Sequence, residues 1–166
     1  INERKIYMAT FKTANGCGKY RDLNSKEDVI HYILNPNKTP HNLIGSYMVD
    51  TFAPAQSMYE VSARFNKECG VQLRHLIVSF SRYDNCDIYT ADKIASEFML
   101  FIGRKYQVIY AVHENKDNVH FHLVFNSASY VDGQRYYGTR GEHHQMLNIL
   151  NNIVRKHGIR EVHYVK

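Results

Sequence analysis

A chain of 166 residues with 44% hydrophobic and 22% charged content is ordinary globular material, long enough to bury one core and unlike a disordered tract. No apolar run approaches the roughly 20 residues of a membrane span, no signal peptide pattern is present, and the opening on Ile1 rather than Met points to a piece of something longer. The charge of +5 suits a polyanionic partner without requiring one, while Cys17, Cys69 and Cys86, odd in number and without C-x-x-C spacing, argue for free thiols in a reducing cytoplasm rather than a disulfide framework or a cysteine zinc site.

Residues 4–11 read as an opening strand around Ile6, Met8 and Phe11, and Asn15-Gly16-Cys17-Gly18 turns it into a loop. Ser25 followed by Asp28 reads as a capping arrangement for a first helix, with Val29, Ile30, Ile33 and Leu34 on one face and Asn35-Pro36 as its stop. A second helix is expected over 54–68, with Pro54 in its first turn and Gly70 beyond its end. Residues 73–80 are β-rich and read as a central strand. Thr90 is expected to cap a third helix over 91–105, whose buried stripe is Ile94, Phe98, Met99 and Ile102. Residues 106–112 and 120–125 carry two further strand signals, and the polar loop 114–118 joins them as an antiparallel hairpin. Val131-Asp132-Gly133 marks a turn, and a last helix is expected over 142–156, ended by His157-Gly158. There is no internal repeat, low-complexity tract or obvious linker. Hairpin-paired strands mixed with helices predict one α+β domain over 1–166, a two-layer sandwich with a largely antiparallel central sheet and helices packed on it.

The segment running from Val112 to Leu123 carries the chemistry. His120 and His122 stand two apart on a strand and project from one face, while Phe121 and Leu123 offer an apolar face to the core. His113 ends the preceding strand, and the hairpin returns it beside His120. Three imidazoles can therefore converge on one metal and leave positions open for substrate oxygens. Neutral imidazole suits Zn, Mn, Co, Ni or Cu better than Mg. A lone His-x-His pair is weak, but three histidines across a hairpin outweigh the reading as ordinary hydrogen-bonded side chains. His143 and His144, adjacent on a helix and about 100° apart around it, read as surface residues.

His113, six residues, then His120-Phe121-His122 resembles the metal motif of plasmid and transposon mobilisation relaxases, in the His-hydrophobic-His endonuclease superfamily. The run His31-Tyr32-Ile33-Leu34-Asn35-Pro36-Asn37-Lys38-Thr39 resembles their first motif, a helix-borne tyrosine ahead of Asn-Pro-x-Lys-Thr. His75-Leu76-Ile77-Val78-Ser79-Phe80 resembles the strand between the two, and Asn126-Ser127 also fits. The resemblance covers most of the chain, in order. It implies one divalent ion (Mn, Mg, Zn, Co or Ni) on His113, His120 and His122, and Tyr32 as the nucleophile. The implied activity nicks and rejoins one DNA strand at an origin of transfer through a 5′-phosphotyrosyl link. Its implied partners are single-stranded or hairpin origin DNA, an accessory mobilisation protein and a coupling protein, in the bacterial cytoplasm. One departure stands out: where the family commonly carries Asp, this chain has Asn115, flanked by Glu114 and Asp117 as alternative carboxylates for orienting a ligand or accepting a proton.

Tyr32 also stands out by position, on the flank of the Val29, Ile30, Ile33 stripe where a phenol can emerge at a cleft edge. A phenol ordinarily ionises near pH 10, so attack at neutral pH needs a base or a nearby cation. Lys38, Arg74 and Arg82 near the motifs, and Arg135-Tyr136-Tyr137 with Arg140, mix phosphate-binding with base-stacking side chains, although a solvated charge is the commoner role of any one. Rolling-circle initiators and single-strand transposases of the same superfamily place a Tyr-x-x-x-Lys after the histidine pair, and none follows His122 here. A histidine-triad nucleotide hydrolase would need a third alternating His where Val124 stands. A non-catalytic DNA-binding module with a structural metal differs from a relaxase in shifting single-stranded DNA without cutting it.

Overall fold

Six strands and four helices alternate along the chain: β1 (Ala9–Thr13), α1 (Leu23–Ile33), β2 (Ile44–Tyr47), α2 (Pro54–Arg64), β3 (Leu73–Ser81), α3 (Ile88–Ile102), β4 (Val108–Glu114), β5 (Asn118–Asn126), α4 (Arg140–Lys156) and β6 (Val162–Val165). The structure, a computed structural model, describes residues 8–14, 20–39, 41–115 and 118–165. The strands form one sheet in the order β2-β4-β5-β3-β1-β6. Every neighbouring pair is antiparallel except β1 with β6.

Side chains alternate across a strand, so each strand feeds two cores. On one face, Val29, Ile30, Ile33 and Met58 of α1 and α2 pack on Leu73, Ile109, Ala111 and Val124. On the other, Ile94, Phe98, Leu150 and Val154 of α3 and α4 pack on Leu76, Val78, Phe121 and Leu123. The expected α+β sandwich is present, but with helices on both faces it has three layers rather than two. β4 is buried along almost its whole length, which explains its unbroken apolar run.

Two helix starts differ from expectation for one reason. The side chain that accepts the orphan amide of the first turn comes from the residue with extended backbone, and that residue lies three positions earlier than the one the sequence suggested. Asp22 caps α1 and accepts from the Ser25 amide at 2.7 Å, closing a reciprocal capping box, while Asp28 lies in the helix body. Asp87 caps α3 by accepting from the Thr90 amide at 2.7 Å. α2 and α3 also end earlier than expected, at Arg64 and Ile102; after α2 the chain departs through Asn66 at φ 55. β2 and β6 carry no strong pattern because each is a four-residue edge strand. Gly45 in β2 lies so close under the Tyr110 ring that a Cβ would sit 2.3 Å from it, so no other residue fits without displacing that ring. The opening strand begins at Ala9, and the expected 15–18 loop lies outside the described residues. Among the described residues, no helix is long and apolar enough to cross a membrane.

Asn126, fully buried at the end of β5, ties the hairpin to α2 and to the residue before β4: its amide donates to the Met58 carbonyl at 2.8 Å and to Gln107 Oε1 at 3.0 Å. The Ser62 hydroxyl donates to Asn126 Oδ1 and accepts from Nζ of Lys26, a residue that is 0% exposed. Burial holds the Lys26 ammonium down from 10.5 to about 8. Because the unfolded chain binds that proton more tightly, the charged lysine destabilises the fold below pH 8, and the penalty fades as pH rises from 8 to 10.5. Lys26→Met is expected to stabilise the protein at pH 7 by up to about 3 kcal/mol, with the gain shrinking above pH 8, as read by denaturant melts across pH.

Candidate metal centre and its tyrosine

The β4–β5 register sets His113 opposite His120 and Ala111 opposite His122, so the three imidazoles stand together on the face covered by α1 and α2. Ring centroids lie 4.5 Å apart for His113 and His122, 5.1 Å for His120 and His122, and 5.4 Å for His113 and His120. One ligand nitrogen from each falls within 4.8 Å of the others. A shared ion with bonds of about 2.1 Å needs them roughly 3.5 Å apart, so small ring rotations close the set.

Hydrogen bonds fix which nitrogen each ring offers. His113 Nε2 lies 2.7 Å from the Ile33 carbonyl, a pure acceptor, so Nε2 carries the proton and Nδ1 the free lone pair. His122 Nδ1 lies 2.8 Å from His75 Nε2, while His122 Nε2 is buried with no partner among the described residues. For that orphan nitrogen to hold a metal, Nδ1–H of His122 donates to His75 Nε2, and His75 Nδ1–H donates in turn to the Tyr20 hydroxyl at 3.1 Å. Burial, followed by the neighbouring imidazole of His113 and by Lys38, pushes His120 down to about 4; burial with His75 and the other rings pushes His122 lower still. His113 is lowered by burial too, with the Ile33 bond partly opposing. All three are therefore neutral lone-pair donors at pH 7. A buried, unpartnered nitrogen among neutral imidazoles fits a divalent cation of the Zn, Mn, Co or Ni kind.

The Ile33 carbonyl belongs to the last turn of α1, where helical carbonyls lack intrahelical partners, so His113 both completes the helix end and pins it against the sheet. The negative end of the helix dipole then faces the cation site. The turn after α1 explains the Asn-Pro-x-Lys-Thr run. Asn35 Oδ1 accepts the Asn37 amide at 2.9 Å, and the Asn35 carbonyl accepts the Lys38 amide at 2.9 Å and the Thr39 hydroxyl at 3.1 Å. This tight return places Lys38 Nζ 4.0 Å over the Tyr32 ring. Tyr32 itself is 47% exposed, edge-on to His122 at 5.5 Å between centroids and 6.4 Å from His113. It lines an open cleft of about 550 Å³ together with Tyr20, Asp28, His75 and His122.

Of the carboxylates weighed from sequence, Glu114 faces out toward His41 at 3.9 Å, and Asp117 lies outside the described residues. Asn115 donates its amide to the Asn118 carbonyl in the hairpin turn. Asp28, one helical turn before Tyr32, is the carboxylate that lines the cleft among the described residues, and the sequence had suggested only a capping role for it. His75 was likewise seen only as part of a strand; its spacing of two from Ile77 and its pairing opposite Val124 put it on the metal face. Among the basic residues, Lys38 joins the site. Arg82 lies beyond β3 over the Tyr83 ring, and Arg140 is exposed at the start of α4. Arg135, a candidate DNA contact in the sequence, donates from its guanidinium to the carbonyls of Lys67, Cys69 and Val71 and so clasps the loop before β3.

Residues 32–159 match the family model described as relaxase, MobA/VirD2-like, nuclease domain. The chain is 26% identical over 152 residues to Protein rlx of Staphylococcus aureus, covering 92% of this chain and 44% of that protein. It is 33% identical over 79 residues to the group II intron-interrupted relaxase LtrB of Lactococcus lactis subsp. cremoris, 44% of this chain and 14% of that protein. The chain thus spans less than half the length of these relatives.

His75→Leu removes the acceptor for His122 Nδ1–H and is expected to weaken Zn or Co binding roughly 10- to 100-fold, whereas His75→Gln, which keeps an acceptor oxygen, recovers part of it. Isothermal titration calorimetry of the metal-free protein reads both.

Proposed function

The chain belongs to the MobA/VirD2-like relaxase nuclease family, and we propose that it nicks one DNA strand at an origin of transfer, with Tyr32 as nucleophile beside a metal on His113, His120 and His122. The observation that carries this reading is the exposed Tyr32 phenol set edge-on to His122 across an open cleft, with Lys38 over its ring. A divalent ion bound by the three imidazoles would polarise the scissile phosphate and absorb charge in the transition state.

The protein's own groups supply the rest. Tyr32 oxygen attacks phosphorus, the bond from phosphorus to the 3′ oxygen breaks, and the 5′ phosphate stays on the tyrosine. Asp28 takes the phenolic proton, directly or through a water, and the departing 3′ oxygen leaves as a hydroxyl after gaining a proton from solvent. Lys38, 4.0 Å over the Tyr32 ring, would offset the negative charge gathered around a phosphorus under attack by that phenol. The ester conserves the energy of the phosphodiester, so the reverse step rejoins the strand. The partners consistent with this reading are single-stranded or hairpin origin DNA, an accessory mobilisation protein and a coupling protein, in the bacterial cytoplasm.

Incubation of the protein and Mn with a labelled single-stranded origin oligonucleotide should yield a covalent adduct on a denaturing gel. Tyr32→Phe should abolish the adduct while leaving the melting temperature within the range of a surface change. His120→Ala, or chelation, should reduce nicking by roughly 100-fold or more while single-stranded DNA still binds. Cleavage by wild type with no adduct on any residue would replace this reading with metal-dependent hydrolysis.

A further inference from the structure

Arg74 and His75 are consecutive on β3 and so point to opposite faces of the sheet. Behind the metal centre, on the α4 face, Arg74 lines a polar cavity of about 170 Å³ with Thr13, Leu76, Tyr136, Gly138 and His143. By volume that is room for roughly five waters. Three of the residues around it carry a buried polar atom without a partner among the described residues: Arg74 Nε, Tyr136 Oη and His143 Nδ1. Tyr136 is only 4% exposed, and a phenol hydroxyl so placed ordinarily has a partner. His143, expected at the surface, is half buried, whereas His144 is exposed as expected.

The cavity is built rather than incidental. Arg74 Nη2 donates to the Tyr136 and Tyr137 carbonyls at 3.1 and 2.8 Å, which locks the guanidinium in place at the cavity. Gly138, at φ +71, keeps the wall open, since a Cβ would come within 3.1 Å of Arg74 Nη1 and 3.3 Å of His143 Nε2. The nearby carboxylate, Glu142, is occupied by the Thr139 amide and hydroxyl at the start of α4. A guanidinium and a phenol are donors, and imidazole becomes one at Nδ1 on protonation, so the set is complementary to an oxyanion. Burial and Arg74 hold His143 below its usual range, with Glu142 and a backbone hydrogen bond with Gly138 opposing, and a bound anion would act in the same direction as Glu142. The groups facing the ring are Arg74 from β3, Tyr136 and Gly138 from the preceding loop, Glu142 on its own helix and Tyr164 from β6.

We propose that this cavity binds a backbone phosphate of single-stranded DNA flanking the cut site, held by Arg74, Tyr136 and His143. The inference rests on the nicking reading and adds a second, non-catalytic contact to it. Two observations favour nucleic acid over a free anion. The cavity adjoins a broader groove of about 670 Å³ lined by Arg140, His144, Leu147 and Tyr164, and Tyr137 beside it is 67% exposed, so charge and stacking surface continue outward. Thr13 lines this cavity and Ala14 the Tyr32 cleft, so the end of β1 separates the two and gives a strand a short route round the sheet.

The test is fluorescence anisotropy of a labelled single-stranded oligonucleotide with metal-free wild type, Tyr136→Phe and His143→Gln, with melting temperatures and side-chain nitrogen NMR of His143. Tyr136→Phe removes a hydroxyl that has no partner among the described residues, so it should leave the melting temperature unchanged. Each variant should bind DNA about 10-fold more weakly, His143→Gln should flatten the salt dependence by roughly 0.7 in log–log slope, and DNA should shift the His143 resonances. Wild-type affinity in both folded variants, with nicking intact, would overturn this cavity alone and leave it a water site. A His143 shift with inorganic phosphate and none with DNA would equally overturn it, as an adventitious ion only. If wild type binds no single-stranded DNA at all, the nicking reading falls together with it.

Discussion

The register of the β4–β5 hairpin is the constraint on which the site depends. Pairing His113 with His120 places three imidazoles on one face, and a slip of one residue would send His120 and His122 to the α3 face and put Phe121 and Leu123 among polar neighbours. The slip is opposed from both sides at once. Phe121, Leu123 and Phe125 are fully buried beneath α3 and α4, and Asn126 is locked to α2 by its amide. Packing on one face of the sheet therefore holds the geometry of chemistry on the other.

The placing of Tyr32, the proposed nucleophile, depends on the same element. α1 reaches the sheet through Val29, Ile30 and Ile33, but the contact that fixes its end is the bond from His113 to the Ile33 carbonyl, next in sequence to Tyr32. One imidazole thus sets its own tautomer, finishes a helix and aims a phenol. The electrostatic outcome is also consistent. Neutral ligands leave the full charge of a bound divalent ion uncancelled, and Lys38 adds another positive charge beside it. A cation held there would favour a phosphodiester over a neutral substrate, in keeping with the proposed function.

Much of this was legible in sequence, for identifiable reasons. The hairpin histidines could be placed because strand alternation has a rigid period of two, and α1 because its apolar spacing and Asn35-Pro36 stop are local signals. β2 and β6 were not legible, since four residues at a sheet edge carry little pattern and are held by tertiary pairing alone. The helix caps were misplaced by three residues because Ser25 and Thr90, good cap residues in isolation, lie at positions where an aspartate does the accepting. Arg135 gave no sign that it would clasp a loop, as nothing local distinguishes a guanidinium bonded to backbone carbonyls from a solvated charge. The role of His75 depends on strand order, which a single strand does not reveal: only when β3 lies beside β5 does its ring meet His122.

X-ray absorption spectroscopy of the Co- or Zn-loaded protein tests the central claim most directly, because it counts the ligands around the ion. The account predicts one ion per chain with three imidazole nitrogens at about 2.1 Å and the remaining positions filled by oxygen, and loss of one imidazole in His113→Ala. Fewer than three imidazoles in the wild type, or an unchanged spectrum in that variant, would contradict it.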